Sequence, residues 1–325
     1  MRYGLPYKGS KNAITEWIVS ELPKGKCFVD LFFGGGAVTH CAMLKAKWDR
    51  FIINDIDGRL PKLFIECAHG KHTVDTHPEW ISHDEFNRRK AEDAYIALVW
   101  SFGNNGVDYL YGADIEEYKH AYHLLVFDNN PVPLCELGIR VKLSSKADVY
   151  SRYLDYSAQI RHFFIKTKKH EHELENYERL QVLERLENYE RLQVLERLEN
   201  LYRLQSLQSL QSLQSDYQDV PVPNGAVIYC DPPYNGTNCG KYKGFDSERF
   251  YTWAREQDNI YISEYTMPDD FIEVARIEKA VLSAANGNSA KQIEKIYTNR
   301  RTWESLDNET KERYINNTAE QLSLW

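Results

Sequence analysis

Up to about residue 68, and again after residue 216, short apolar runs alternate with amphipathic stretches. KCFVDLFF (26–33) reads as a buried strand, AVTHCAMLKAKW (37–48) as a helix and FIIND (51–55) as a second strand, with a helix following over 59–68. After 216 the order resumes with a strand that closes at Asp231, a helix ERFYTWAREQ (248–257) and a strand NIYISEY (259–265). Such alternation predicts an α/β fold with a mostly parallel, doubly wound sheet. Right-handed crossovers would gather the loops after the strands along one edge, where sheets of this kind bind ligands.

The middle of the chain has another texture. From Ile139 to Val220 there is neither glycine nor proline, and the pattern is helical. ENYERLQVLERL (175–186) recurs without change at 187–198, and Leu or Tyr occupies every third position from Leu174 to Leu213. On an α-helix a three-residue stripe slips about 60° per step and circles the axis in about 18 residues, so it makes no single core face over its whole length. The period excludes a leucine-zipper heptad, and long 3₁₀-helices are uncommon. The i,i+4 pairs Glu175/Arg179, Glu187/Arg191 and Glu199/Arg203 favour α-helix. We expect a helical insertion at 171–215, born of tandem duplication and peripheral to any chemistry.

Bulk properties narrow the class. The chain has 325 residues, 42% apolar and 27% charged, enough for a substantial core in two subdomains. No run approaches the roughly 20 apolar residues of a membrane span, and the start MRYGLPYKGSKN lacks a signal-peptide core. Six scattered cysteines without a CxxC argue against a disulfide framework or a zinc site, and for the cytoplasm. The net charge of −8 hides an uneven spread. Residues 140–169 carry eight basic groups, Lys142, Lys146 and Arg152 among them, against Asp148 and Asp155. That stretch is either a phosphate-binding patch or a solvated helix face.

Three pieces carry candidate chemistry. In VIYCDPPYNG (227–236), the strand ends in Asp231-Pro232-Pro233-Tyr234. Two prolines fix the backbone, so the tetrad holds a carboxylate, a free carbonyl and a ring in stiff relation. DLFFGGGAV (30–38) places Gly34, Gly35 and Gly36 between strand and helix. Glycine lets the backbone approach a ligand there, yet many such turns are merely tight. The turn lacks the Lys-Ser/Thr of a P-loop and the spacing of G-x-G-x-x-G, which disfavours a triphosphate or a dinucleotide. Asp55, ending the second strand, suits a ribose diol or a helix cap equally. KHEHE (169–173) suggests a metal less than a solvated segment, and no metal is expected.

Together these pieces resemble an S-adenosylmethionine-dependent amino-methyltransferase, and in particular the DNA adenine-N6 methyltransferases of the Dam type, phage-borne members above all. PYKGSK (6–11) is similar to the family's N-terminal motif, which implies that Tyr7 and Lys11 touch the cofactor. VDLFFGGG resembles its glycine motif, implying Asp30, Phe32, Gly34 and Gly36 beside the methionine moiety. Asp55 would then take the ribose, SDYQDV (215–220) would bring Asp216 near the cofactor adenine, and CDPPY would be the catalytic motif, with Asp231 also facing the cofactor. YISEYTMP (261–268) resembles the strand that follows that motif. The implied chemistry is methyl transfer to N6 of an adenine flipped out of double-stranded DNA, with Asp231 and the Pro232 carbonyl accepting the two amino hydrogens and Tyr234 stacking on the base.

The resemblance spans residues 1–170 and 216–325. It implies a Rossmann-like catalytic domain (1–82 with 216–325), a mostly helical DNA-recognition subdomain (83–170) and the repeat as an insertion (171–215). Asn104 and Asn105 in SFGNNGVDYLYG (101–112) would reach DNA or form a structural turn, and GTNCGKYKGF (236–245) resembles a loop that closes over the site. A monomer is expected, with a restriction endonuclease partner left open. The same bracket also serves cytosine-N4 and RNA guanine-N2 methylation, and an idle scaffold is a fourth reading. The N-terminal motif and the long recognition segment favour adenine.

Overall fold

The computed structural model describes residues 2–7, 9–168, 182, 190–199, 201, 209–233, 244–282 and 289–323. The chain divides into two compact units. Met1–Leu5, Gly9–Ile65 and Leu204–Trp325 form the first, and Pro6–Lys8 with Glu66–Arg203 the second.

The first unit is built on one sheet. Its strands are β1 (Cys27–Asp30), β2 (Arg50–Asn54), β3 (Leu210–Leu213), β4 (Val227–Cys230), β5 (Ile260–Glu264), β6 (Ile272–Leu282) and β7 (Ser289–Thr298). They lie in the order β3-β2-β1-β4-β5-β7-β6. The first five in that order are mutually parallel, and β7 runs antiparallel between β5 and β6. The result is a mixed α/β architecture with a seven-strand sheet.

Every residue of β1, β4 and β5 is buried. This is why these strands read as unbroken apolar runs: both faces of the central sheet are covered. Val29, Ile52, Ile228 and Ile262 join one core with Phe250 and Tyr251 of the helix Ser247–Arg255. Phe28, Phe51 and Tyr229 fill the other side, where the Phe28 and Trp48 rings lie 4.8 Å apart. The predicted helix over 37–48 stops at Leu44, because the chain turns at Ala46 (φ 49°) to bring Trp48 against Phe28.

Two further departures from the sequence-based expectation concern the ends of the sheet. The β6–β7 hairpin was not foreseen, and its alternation is broken by an irregularity between Glu273 and Ala275. The tail of the three-residue repeat is not helical either. Leu210–Leu213 is β3, the edge strand beside β2. Beyond Arg203 the repeat loses its Glu–Arg pairs and becomes Leu-Gln-Ser, so the helix-favouring side-chain contacts end there. Leu210 and Leu213 are half-buried while Gln211 and Ser212 are exposed, as an edge position requires.

In the second unit, helices Glu116–Asp128, Val149–Lys168 and Glu190–Glu199 are the longest described. The last of these corrects the expectation of a peripheral repeat. Leu192, Leu195 and Leu198 are each at most 1% exposed, and Arg191 is fully buried. Within ten residues the slip is limited: at 100° per residue these leucines span about 120°, and Arg191 falls inside the arc. A stripe that circles a long helix therefore still gives a short one a single buried face.

Candidate active site

The strand order reverses at β1, which has β2 on one side and β4 on the other. Such a switch point opens a crevice beyond the carboxyl ends of the strands. Asp30 closes β1, Asp55 follows β2 and Asp231 follows β4, so three carboxylates meet at this edge.

Asp30 is 2% exposed, and its Oδ2 accepts a hydrogen bond from the Thr39 hydroxyl at 2.7 Å. Its Oδ1 has no hydrogen-bond partner. Burial pushes the carboxyl up to about 7, with the charges of Asp231 and Asp55 adding to the effect and the Thr39 bond opposing it. Asp55 accepts from the Gly34 N–H at 2.7 Å and from the Asp57 N–H at 2.8 Å. It thus fastens the glycine turn to the end of β2. The capping role that the sequence left open falls to Asp57, whose side chain accepts from the Arg59 N–H at the start of helix Arg59–Ala68.

The glycine turn itself is held from both sides. Gly36 has φ 67°, and a Cβ there would stand 2.2 Å from the Phe33 ring. Gly4 passes so close that a Cβ would lie 2.4 Å from the Gly35 oxygen, while its N–H donates to His40 Nδ1 at 2.9 Å. Leu5 N–H donates to that Gly35 oxygen at 2.7 Å. The chain at Gly4 and Leu5 is therefore fastened to the glycine turn, a link their sequence separation concealed.

Lys11 lies beside Asp231 at the end of β4. Its ammonium lies 3.0 Å from Asp231 Oδ1 and 3.9 Å from Glu294 Oε2, with Lys11 10% exposed and Asp231 20%. Pro232 is buried and Pro233 half-buried. Tyr234 and residues 235–243 of the following loop lie outside the described residues, as does KHEHE. Cys230, adjoining Asp231, is fully buried with its thiol pushed far up by burial and then by Asp30 and Asp231. A thiol in that state is no nucleophile.

Beside these carboxylates lies an aromatic wall. Phe32 is within 6 Å of the Tyr217, Phe245 and Phe250 rings by centroid. The Tyr217 hydroxyl is buried without a hydrogen-bond partner. Asp216 accepts from the Gln218 N–H at 3.0 Å and pairs with Arg249 at 3.1 Å. Lys11, Asp30, Phe32, Gly34, Gly36, Asp55, Asp216 and Asp231 all belong to the first unit. Tyr7 is half-buried and belongs to the second.

Three residues expected to touch DNA are otherwise engaged. Asn104 (φ 54°) donates to the Leu98 carbonyl, and Asn105 accepts from the Val107 and Asp108 N–H groups and donates to the Asp108 carboxylate. Both amides build the turn they occupy. Arg152 is engaged as well: its guanidinium donates to the carbonyls of Val126, Phe127 and Ala147, which end one helix and precede another. Lys142 and Lys146 are exposed. Sequence reasoning missed Asn54, whose side chain donates to the Leu31 and Ser215 carbonyls and accepts from the Ser215 N–H, tying β1, β2 and the chain after β3 together. It also missed Glu294, a buried acid in a strand with no motif around it. Among the described residues no cluster of His, Cys, Asp or Glu is arranged to hold a metal, and no helix is long and apolar enough to cross a membrane.

Residues 7–98 match the family described as D12 class N6 adenine-specific DNA methyltransferase. A comparison with curated proteins returned no match. The matched segment contains Lys11, Asp30, the glycine turn and Asp55, whereas Asp216 and Asp231 lie beyond it. The match indicates an adenine-specific DNA methyltransferase, and methyltransferases of this family use S-adenosylmethionine as methyl donor. The seven-strand mixed sheet is consistent with a methyltransferase fold.

Proposed function

We propose that this chain methylates N6 of an adenine flipped out of double-stranded DNA, at the crevice formed by Asp30, Asp55 and Asp231. The carrying observation is the position of Asp231-Pro232: a stiff pair, with a partly exposed carboxylate, at the end of a fully buried strand, beside the switch point of the sheet. S-adenosylmethionine, when bound, supplies an electrophilic methyl on a sulfonium. The residues suit such a group: Asp30 Oδ1 and the Tyr217 hydroxyl are buried and without hydrogen-bond partners, three carboxylates favour its cationic end, and Phe32 offers an apolar wall.

In this reading Asp55 keeps the glycine turn shaped for the cofactor and Asp216 lies toward its adenine. Asp231 and the Pro232 carbonyl accept the two N6 hydrogens, which turns the nitrogen lone pair toward the methyl. As the nitrogen gains a methyl it becomes cationic, and the carboxylate beside it stabilises that charge and takes up the proton it sheds. Tyr234 stacks on the flipped base. We extend the reading to the Dam-type subgroup on the strength of PYKGSK, and to a doubly wound sheet on the burial of both faces. The test is to incubate the protein with labelled S-adenosylmethionine and duplex DNA, digest the DNA and identify the labelled nucleoside. N6-methyl-2′-deoxyadenosine is expected. N4-methyl-2′-deoxycytidine, or label taken up only by RNA in a parallel incubation, would overturn the assignment.

A further inference from the structure

We propose that Glu294 is a positioning residue for methyl transfer, which with Asp231 holds the Lys11 ammonium between two carboxylates and takes it over when Asp231 accepts the adenine amino group. The inference rests on the reading of Asp231 given above. A lysine ammonium has three donors and no acceptor. Here one donor meets Asp231 Oδ1 at 3.0 Å, while Glu294 Oε2 stands at 3.9 Å, a charge contact beyond hydrogen-bond length. Lys11 is thus bonded to the carboxylate that the chemistry needs, and a second carboxylate stands just beyond bonding reach of it.

Glu294 is 3% exposed, on β7, which pairs antiparallel with β5. Burying a carboxylate is costly unless its environment compensates it. Lys11 is one compensating group and Tyr265 is another. The Tyr265 phenol is held up at about 12 by burial and then by the Glu294 and Asp231 charges, so it stays protonated and hydrogen-bonds Glu294. Glu294 is therefore fixed in place by the residue after β5 while facing Lys11 from β7. With both carboxylates ionised, the cluster of Asp231, Glu294 and Lys11 carries a net charge of −1. That surplus opposes the positive charge developing on the adenine nitrogen, and it lets Asp231 loosen Lys11 while a second carboxylate still faces the ammonium.

The isosteric change Glu294→Gln removes the charge and keeps a side chain that Tyr265 can bond. It leaves Lys11 committed to Asp231. We expect single-turnover methylation at saturating cofactor and DNA to slow by about tenfold or more, with cofactor affinity by calorimetry and the melting temperature held near the parental values. Glu294→Asp, which keeps the charge at shorter reach, should fall between. In a Lys11→Met background, Glu294→Gln should add no further slowing, because the residue acts through Lys11. The ¹³Cε resonance of Lys11 gives a readout apart from activity: a duplex containing the target adenine should shift it in the parent and leave it in place in Glu294→Gln. Equal slowing in both backgrounds, unchanged turnover in Glu294→Gln, or an identical Lys11 shift in parent and variant would overturn the proposal. A parent that transfers no methyl to DNA adenine would instead overturn the function reading itself.

Discussion

Replacing Arg191 tests whether the repeat is structural. Its guanidinium is fully buried, donates to His123 Nδ1 at 3.0 Å and to the His77 carbonyl, and lies 4.5 Å from the Trp100 ring centroid and 4.9 Å from that of Phe127. Burial, with the Arg191 charge adding to it, holds the His123 imidazole down at about 3, so the ring is a neutral acceptor over the ordinary pH range. Truncating the arginine strands two buried acceptors and opens a cavity. Leaving these acceptors unpaired costs about 1–3 kcal/mol each before the cavity is counted, which in a unit of this size lowers melting by on the order of 10 °C. The duplication complicates the single variant. Residues 178–188 and 190–200 read identically, so Arg179 offers the same groove the same side chain, and Leu180, Leu183 and Leu186 can follow it. The full destabilisation is therefore expected in Arg179→Ala/Arg191→Ala, a smaller one in Arg191→Ala and none in Arg179→Ala. Scanning calorimetry reads all three. A double variant melting with the parent would refute the buried-helix account. Deleting 187–198 restores the window ERLQVLERLENL ahead of residue 202, so that chain should melt near the parent for a reason opposite to peripherality.

Other outcomes follow from single sites. Because burial raises Asp30 to about 7, a cationic ligand must draw its proton off, so cofactor affinity should rise as pH climbs through 7 and weaken about tenfold at pH 6; calorimetry in Asp30→Asn should show a flat profile, and an unchanged slope would remove Asp30 from the site. Gly36→Ala meets the Phe33 ring at 2.2 Å in left-handed backbone and should cost about 1–3 kcal/mol along with cofactor binding; a stable, binding variant would refute the tight turn. Lys142→Gln with Lys146→Gln should weaken DNA binding and flatten its salt slope by roughly 0.9 for each phosphate these lysines neutralise, whereas Arg152→Ala should lower melting and leave the slope alone.

The parts of this molecule legible from sequence are those where one local signal settles the matter. Strands β1, β2, β4 and β5 are short apolar runs buried on both faces, and Asp30, Asp55 and Asp231 mark their ends because a charge cannot continue such a run. What escaped was long-range. Leu210–Leu213 carries a helical repeat's spacing and becomes a strand only because β2 offers an open edge. Lys11 meets Asp231 across 220 positions, and Glu294 sits in a plain alternating strand with nothing nearby to mark it. For Asn104 and Asn105 the sequence left DNA contact and a structural turn both open, and their amides bond within the turn they occupy.

Asp231 carries the central claim, and Asp231→Asn tests it most directly, since the change keeps the size of the side chain and removes the negative charge. Single-turnover transfer of labelled methyl to an adenine-containing duplex, read at saturating cofactor, should fall by about a hundredfold or more in a variant that melts like the parent. Near-parental transfer by that folded variant would contradict the account at its centre.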